Sequence, residues 1–580
     1  MKNNLQSGRT EGSQYLVSVK SQSIMDAEAQ SEWGFNEFSL IESAGRSCAQ
    51  VFLENFHEFF TEGRSVLSGS CDQYKKGPRV AAAIGAGNNG ADAMVMLRYW
   101  ILAGFLDPLS SALVVSRVPK SNEKGPWVEL LKSLKKIMVP VLVWDGDIGE
   151  TAGRASDDIL AQADIIIDGI AGTGIRGAIH GTALEMLKAV NFHRNKVPDH
   201  KTFRIERQYT QPFVVSVDLP SGCSDEWTPE MPIIEADVTL AIVPRKYCIY
   251  SPAARPHAGI ILPAGGVFPE KIISRYAAAE VLDWNSINGR ISRIRPTAYK
   301  NQRGTVEIRA GSPGATGAAF IAARGAQAAG AGLVRLVTDN EIYPILASRS
   351  TGIMIAPSGS NASGEIDNGE DQTGFDNRFK PDAILLGPGW GKSGNRAPVL
   401  KKALQMGREG TPLILDADSI ELVKGEIFAG NVILTPHPGE FSSFSGIRKE
   451  ELLYHTIPLL LEQACKCGAV ILFKSHVITI ASPDGRAGVV DGMTPALATG
   501  GSGDLLAGFC AAIAARMVSE GRGVDAYTCA AAAAALLIAS ARSEGFKTRF
   551  TDPLELAGKA ADLAGNAWLS LGNSIKGIFS

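Results

Sequence analysis

The sequence predicts an α/β protein of two successive domains, each organised around a mostly parallel sheet, and three observations lead there. The 580 residues exceed what one ordinary hydrophobic core holds, since domains usually run about 100–200 residues. Short apolar runs recur along the chain that are continuous rather than alternating, the pattern of strands buried on both faces. Several of these runs end directly in glycine-rich turns followed by a helical pattern, the order of a strand–turn–helix unit.

In the first half, Leu40, Ala44, Cys48, Phe52, Phe56 and Phe59 recur at three- and four-residue steps and predict an amphipathic helix. Val80 to Ile84 is the first strand of the sheet; it runs into GAGNNGADA and then a helix over Met94 to Leu102. Further strands are expected at Ala112–Val115, Ile165–Ile167, Val214–Val217 and Val238–Val243, with a polar insertion over His193–Gln211. Between Pro269 and Thr297 charged and apolar residues mix, which places one domain at 20–272, a linker at 273–292 and a second domain at 293–580. There the alternation restarts, with strands at Thr305–Ile308, Leu333–Val337, Ala383–Leu386, Leu413–Leu415, Val432–Leu434 and Val470–Phe473. Ser358–Asp376 is polar and acidic and suits an exposed insertion. Cys529–Ala541 reads as a buried alanine-rich helix, shorter than the ~20 residues of a bilayer span.

A formal charge of -3, with both signs mixed throughout, leaves no basic stripe for nucleic acid. The first twenty residues are polar and lack the apolar stretch of an export signal, and no membrane partner is expected. The eight cysteines show no paired metal or disulfide spacing, which fits a reducing cytoplasm. Nothing in the composition opposes a homo-oligomer.

The strongest chemical signal is ATGGSGDLLAG, Ala498 to Gly508: small residues let successive backbone N–H groups approach an anion where a helix begins. Asp504 lies inside that turn, positioned to take a proton from a hydroxyl beside a phosphate site, or simply to cap the helix. LLGPGWG, Leu385 to Gly391, ends a buried strand in a glycine turn that either faces a ligand or is an ordinary tight turn. His437 in LTPHPGE and Lys474 also follow strands, each a ligand contact or a structural residue. In the first half, Asn88, Asn89 and Asp92 in the first glycine turn, Asp168 in DGIAGTGIRG, and Asp218 and Ser221 in SVDLPSG all stand at strand ends. Amide oxygens suit a hard cation, while a plain asparagine turn explains the first motif equally well.

Taken in order, GSPGATGAA, LLGPGWG, LDADS, LTPHPGE, the Lys474 segment and ATGGSGDLLAG resemble the ribokinase-like family of nucleotide-dependent NAD(P)H-hydrate dehydratases. The resemblance implies Asp504 as catalytic base, and Ala318, Gly389, His437 and Asp504 facing the hydrate. It also implies an adenine nucleotide held by Lys474, Ser475, His476, Val477, Ile478 and Gly503, although the family usually has glycine where this chain has Ser475. The first half, about residues 20 to 270, resembles the NAD(P)H-hydrate epimerases, a Rossmann-like three-layer domain. There the implied substrate set is Asn88, Asn89, Gly90, Ala91 and Asp92, then Gly172, Thr173, Gly174, Ile175, Arg176, Gly177 and Ala178, then Asp218. Because the affected carbon bears both nitrogen and oxygen, Asp218 is also the expected acid–base group that opens and recloses it. Asn89, Asp168 and Ser221 match potassium ligands.

The implied protein is a fused repair enzyme acting on the hydrates of NADH and NADPH, with potassium, ADP as phosphoryl donor and magnesium. Two alternatives stay open. The GGSGD fold also serves kinases that release a stable phosphorylated vitamin or sugar. The family pattern NNGGDG carries Ala91 and Ala93 here, and methyl groups that crowd a phosphate or forbid a positive φ would leave a ligand-binding first half without catalysis.

Overall fold

The computed structural model describes residues 12–62, 77–145, 155–195, 211–291, 294, 297–358, 375, 379–391, 396–543 and 551–566. The chain divides into two compact units, Met1–Ala279 and Glu280–Ser580.

The strands of the first unit are β1 (Tyr15–Val17), β2 (Val80–Ile84), β3 (Ser111–Val115), β4 (Val141–Val143), β5 (Ile165–Gly169), β6 (Phe213–Val217), β7 (Val238–Ile242), β8 (Arg245–Lys246) and β9 (Ile260–Ala264). Seven of them form one sheet in the order β4-β3-β2-β5-β6-β7-β9, every neighbouring pair parallel. β2, β3, β5 and β7 are buried along their whole length, which is why they read as unbroken apolar runs. The chain builds outward from β2 through β3 and β4 on one side and from β5 on the other, the Rossmann-like doubly wound arrangement. A crevice for ligands therefore opens beyond the carboxyl ends of β2 and β5.

The predicted amphipathic helix runs over Glu37–Glu62; its Phe52 ring lies 4.4 Å from Trp100 of the helix Asn88–Leu102. Gly45 lets these helices approach: a Cβ there would stand 2.5 Å from the Asp92 carbonyl oxygen. The expected polar insertion begins later than His193, because the helix Gly181–Asn195 continues through it and buries the His193 ring against Asp157 at 2.7 Å. Residues 196–210 lie outside the described residues, as do most of 358–376.

The second unit contains β10 (Ala279–Val281), whose Glu280 and Val281 pair with Gly488 and Val489, and then β11 (Thr305–Arg309), β12 (Leu333–Thr338), β13 (Met354–Pro357), β14 (Ala383–Leu386), β15 (Leu413–Leu415), β16 (Val432–Leu434), β17 (Val470–Phe473), β18 (Val477–Ala481) and β19 (Ala487–Asp491). Their order is β13-β12-β11-β14-β15-β16-β17-β18-β19, parallel from β13 to β17, with β18 antiparallel to both its neighbours. Again the first long strand, β11, is central, and the order reverses between β11 and β14.

Residues 273–292 are more than a connection. The helix Glu270–Tyr276 buries Ile272 and Ile273 in the first core, and the helix Trp284–Ile287, capped by Asp283, buries Ile287 in the second. The alanine-rich helix Ala526–Ala541 is almost wholly buried. Beside it, the helices Thr316–Ala328 and Ser502–Ser519 touch backbone to backbone. A Cβ on Gly508 would meet the Ala322 carbonyl oxygen at 2.2 Å, and one on Gly325 the Leu505 oxygen at 2.6 Å. By length and composition Ser502–Ser519 passes for a membrane span, but it is 72% buried as a core helix of this unit.

Candidate functional sites, one in each unit

In the second unit the glycine turn Ala498–Gly501 delivers the chain into the helix Ser502–Ser519, with Gly501 at the N-cap in the left-handed region (φ 94°). Gly501 has no side chain to cap with, and the Asp504 carboxyl makes no hydrogen bond among the described residues, so the capping alternative fails. Burial pushes the Asp504 carboxyl up to about 7; Asp416 and Glu440 push the same way and Lys474 opposes them. Lys474, at the end of β17, donates from Nζ to Asp416 Oδ1 at 2.7 Å and has Glu440 Oε2 at 3.9 Å. Burial works against its charge, yet the two carboxylates outweigh burial and raise its pKa. Asp416 is itself buried at the end of β15 and accepts from Thr435 Oγ1 at 2.6 Å. A Cβ on Gly503 would lie 3.4 Å from Lys474 Nζ, so the lysine reaches the mouth of the helix.

The two other glycine turns meet here. A Cβ on Gly389 would fall 2.8 Å from Ala315 Cβ and 2.9 Å from Ala318 Cβ, and Ser312 Oγ donates to the Gly389 oxygen at 3.0 Å. Gly387 is the tightest point: with φ 118°, any Cβ would stand 1.7 Å from the Asp416 oxygen. Ala417 beside it holds φ 46°, a strained value for a residue with a side chain, of the kind that clusters at functional sites. His437 is exposed and serves two neighbours: Nδ1 accepts from the N–H of Gly439 (3.0 Å) and Glu440 (3.2 Å), and Nε2 lies 3.3 Å from Glu440 Oε1.

The Lys474–Ile478 segment divides. The Ser475 hydroxyl donates to the Val477 oxygen at 2.6 Å and closes the turn between β17 and β18, which explains how serine replaces glycine there. The Val477 and Ile478 side chains are buried in the core, which leaves only their backbone for a ligand, and His476 is exposed at the turn. Sequence reasoning quoted LDADS and LTPHPGE without singling out Asp416 or Glu440, the two carboxylates that frame Lys474; their strand-end addresses were the available signal.

In the first unit Asn89 is the second residue of the helix after β2, Asp168 is the penultimate residue of β5, and Asp218 and Ser221 follow β6. Asp168 accepts from Ser216 Oγ at 2.7 Å, the Ser221 N–H at 2.9 Å and Ser221 Oγ. Burial raises its pKa against those bonds. Gly172 brings its loop onto Asn89, since a Cβ there would stand 2.8 Å from Asn89 Cβ. Both polar atoms of the Asn89 side chain are buried without a hydrogen-bond partner. Asn88 instead turns outward and donates to Glu37 Oε1 at 3.1 Å. Gly90 must be glycine, because a Cβ would meet the Gly85 oxygen at 2.2 Å. From Gly172 to Ala178 the loop is open and Arg176 is exposed; the Gly177 N–H donates to Glu226 at 3.3 Å.

Ala91 and Ala93 occupy positions whose backbone does not require glycine. Both are buried inside the helix Asn88–Leu102, and neither has a positive φ, so no glycine conformation is lost at either. The space a second glycine would leave is filled across the sheet: a Cβ on Gly169 would meet Ala93 Cβ at 2.5 Å.

Residues 306–558 match the family described as NAD(P)H-hydrate dehydratase, and residues 37–248 match the family described as YjeF-related protein N-terminus. Among curated proteins the chain is similar to the bifunctional NAD(P)H-hydrate repair enzyme Nnr of Moorella thermoacetica, 26% identical over 87% of this chain and 89% of that one. It is likewise similar to the enzyme of the same name from Gloeobacter violaceus, 30% identical over 76% of this chain and 80% of that one. Among solved structures, the Bacillus subtilis ADP/ATP-dependent NAD(P)H-hydrate dehydratase co-crystallised with ATP/Mg2+ shares 24% identity, covers 50% of this chain and 99% of its own, and gives a TM-score of 0.42. With both halves matched in order and a 30% identical relative covered over four-fifths of its length, the chain belongs to the family of bifunctional NAD(P)H-hydrate repair enzymes.

Proposed function

We propose that this protein repairs hydrated NADH and NADPH, with the first unit exchanging the R and S hydrates and the second restoring the cofactor from the S hydrate with ADP, releasing AMP and phosphate. The observation that carries the second activity is Asp504, a carboxyl at the mouth of a helix that makes no hydrogen bond among the described residues and that burial pushes up to about 7. As base it takes the proton of the hydrate hydroxyl while that oxygen attacks the terminal phosphorus of the nucleotide. Lys474 and the N–H groups of the Ala498–Gly503 turn stabilise the phosphoryl charge. Phosphate then leaves with the help of the ring nitrogen lone pair, and loss of a proton from the adjacent carbon restores the double bond. Ala318, Gly389 and His437 are assigned to the hydrate, Gly503 and Lys474–Ile478 to the nucleotide.

Magnesium fits this site as a companion of the nucleotide phosphates. Such an ion needs only one or two protein carboxylates, and Asp416 and Glu440 flank Lys474; it would offset phosphate charge during transfer. Potassium fits the first unit, because the buried Asn89 amide oxygen lacks a partner and the loop packed on Asn89 at Gly172 is bonded through Ala171 to Ser221, which is itself bonded to Asp168. Bound there, it would balance the Asp168 charge and favour a phosphate-bearing ligand. Asn88–Asp92, Gly172–Ala178 and Asp218 are assigned to the hydrate in this unit.

Incubating pure protein with both hydrate epimers, with and without ADP or ATP, tests the whole reading through the absorbance of regenerated NADH. Full regeneration is expected with ADP and little without nucleotide. A kinase would instead accumulate a phosphoester, and higher catalytic efficiency with ATP would overturn the donor while leaving the dehydratase assignment intact. The proposed setting is the cytoplasm.

A further inference from the structure

Lys246 belongs to none of the residue sets so far assigned, yet it is among the most deeply buried side chains of the first unit, with 1% of its surface exposed. It stands on the two-residue strand β8 and donates from Nζ to Asp218 Oδ1 at 2.6 Å and to the Ile242 oxygen at 3.4 Å. Asp218 itself holds φ 66°, a left-handed value uncommon for a residue with a side chain, and its Oδ1 also accepts the Ile242 N–H at 3.2 Å. A strained, buried carboxylate held at one oxygen leaves the other oxygen as its working atom.

The surroundings are acidic. Asp92, from the helix after β2, is buried with Oδ1 lacking any hydrogen-bond partner. Burial and then Asp218 drive its carboxyl well above the usual range, with Lys246 pulling the other way. Asp26, from the helix Val19–Glu32, is raised mainly by burial and is lowered by Gln22 and Lys246. The thiols of Cys48 and Cys248 also feel Asp218. Lys246 is the cation that acts on both Asp92 and Asp26 as well as bonding Asp218. Lys246 thus faces several acids at once, beside the loops that converge on Asn89.

We infer that Lys246 is a positioning residue of the epimerase centre, holding the Asp218 side chain aimed for proton transfer at the hydrated carbon; this rests on the epimerase reading of the first unit. Asp218 takes the hydroxyl proton, the C–O bond becomes a carbonyl, and the ring C–N bond breaks with its electron pair going to nitrogen. The same carboxyl returns the proton to that nitrogen. Reclosure on the opposite face of the carbonyl runs the steps backwards, with no co-reactant.

The test follows exchange between the two hydrates by chromatography across pH, with ADP-dependent regeneration from the S hydrate as a folding control in the same chain. Lys246→Met is expected to slow exchange by about a hundredfold or more. It also moves the acid limb to higher pH, because a carboxylate that loses its cation binds protons more tightly. Lys246→Arg is expected to keep the wild-type acid limb. A double-mutant cycle guards against a folding defect: Asp218→Asn with Lys246→Met should be no slower than Asp218→Asn alone, since the lysine acts through that carboxylate. An additive loss in the double variant, an unmoved acid limb, or near-normal exchange in Lys246→Met overturns the inference. Absence of exchange in the unmodified protein, or full exchange in Asp218→Asn, instead overturns the reading on which it rests.

Discussion

Each unit holds a buried lysine–aspartate pair at the carboxyl edge of a parallel sheet, and the two pairs are used differently. In the second unit Lys474 is clamped by Asp416, while the acid proposed to do the chemistry, Asp504, is a separate residue with no hydrogen bond. In the first unit the acid bonded to the lysine, Asp218, is itself the proposed acid–base, and the unbonded neighbour Asp92 is pushed well above the ordinary range. A shared motif therefore predicts neither which carboxylate works nor in which protonation state. In the second unit burial without a hydrogen bond among the described residues raises Asp504 to about 7, where a base is also a good proton carrier; in the first the same burial raises Asp92, which the proposed chemistry does not use.

The largest test of the contrast is Asp504→Asn. Regeneration is expected to fall by about a hundredfold to ten-thousandfold, while R–S exchange in the first unit continues at its normal rate. Near-normal regeneration would reject Asp504 as base. Asp168→Ala reverses the pattern: exchange drops by roughly tenfold to a hundredfold, its potassium dependence disappears, and a mixed substrate stalls once its S fraction is consumed. If the unmodified protein stalls in ample potassium, the first unit is not a working epimerase.

The pH dependence separates the units further. Asp504 must be ionised to act, so regeneration is expected to decline about tenfold per pH unit below a limb near 7, read from initial rates with saturating nucleotide. Linkage gives the same residue a second signature. Its pKa is raised in the folded state, so the native protein binds more protons than the unfolded chain, and stability falls as pH rises from the ordinary carboxylate range through about 7. Asp504→Asn is therefore expected to raise the unfolding midpoint at pH above 7 while abolishing regeneration. The smallest effect concerns the helix after β2. Ala91→Gly and Ala93→Gly should each cost about 0.5–1 kcal/mol in denaturant unfolding, as glycine does inside a helix, with no gain in exchange rate. Faster exchange would mean that the methyl groups do crowd the ligand.

The strands buried on both faces, from Val80–Ile84 to Val470–Phe473, were legible because a parallel sheet leaves an unbroken apolar run. Four strands of the second unit are not legible, for different reasons, the first being Ala279–Val281, three residues with a central glutamate inside the expected linker. Met354–Pro357 is a partly exposed edge with no such run. Val477–Ala481 and Ala487–Asp491 form an antiparallel hairpin, for which Asp484-Gly485 between two apolar runs is the sequence signal, while Val477 and Ile478 stand out in the sequence only as part of the ligand segment. In the sites, Asp504, His437 and the glycine turns were visible as motifs after strands. Asp416, Glu440 and Lys246 were not singled out, because their importance lies in partners distant in sequence: Lys474 is 58 residues from Asp416 and Lys246 is 28 from Asp218. The backbone half of the Ala91 and Ala93 alternative was not legible, since a glycine pattern does not reveal which of its members the helix already accommodates; crowding of a ligand is what the two glycine variants test.

The glycine-to-backbone contact between the helices Thr316–Ala328 and Ser502–Ser519 has a mechanical consequence. Where helices meet through long side chains, rotamer changes absorb small displacements; here peptide meets peptide, and there is no such cushion. The two helices therefore behave as one stiff beam whose near ends carry Ala318 and Asp504. On the proposed assignment of Ala318 to the hydrate and Asp504 to the proton, binding energy spent at one end is not dissipated in side-chain slack before it reaches the proposed base. A misplacement of about 1 Å at an active site can cost a hundredfold in rate, so the joint at Gly325 and Gly508 sets the tolerance of the catalytic machine from well inside the core.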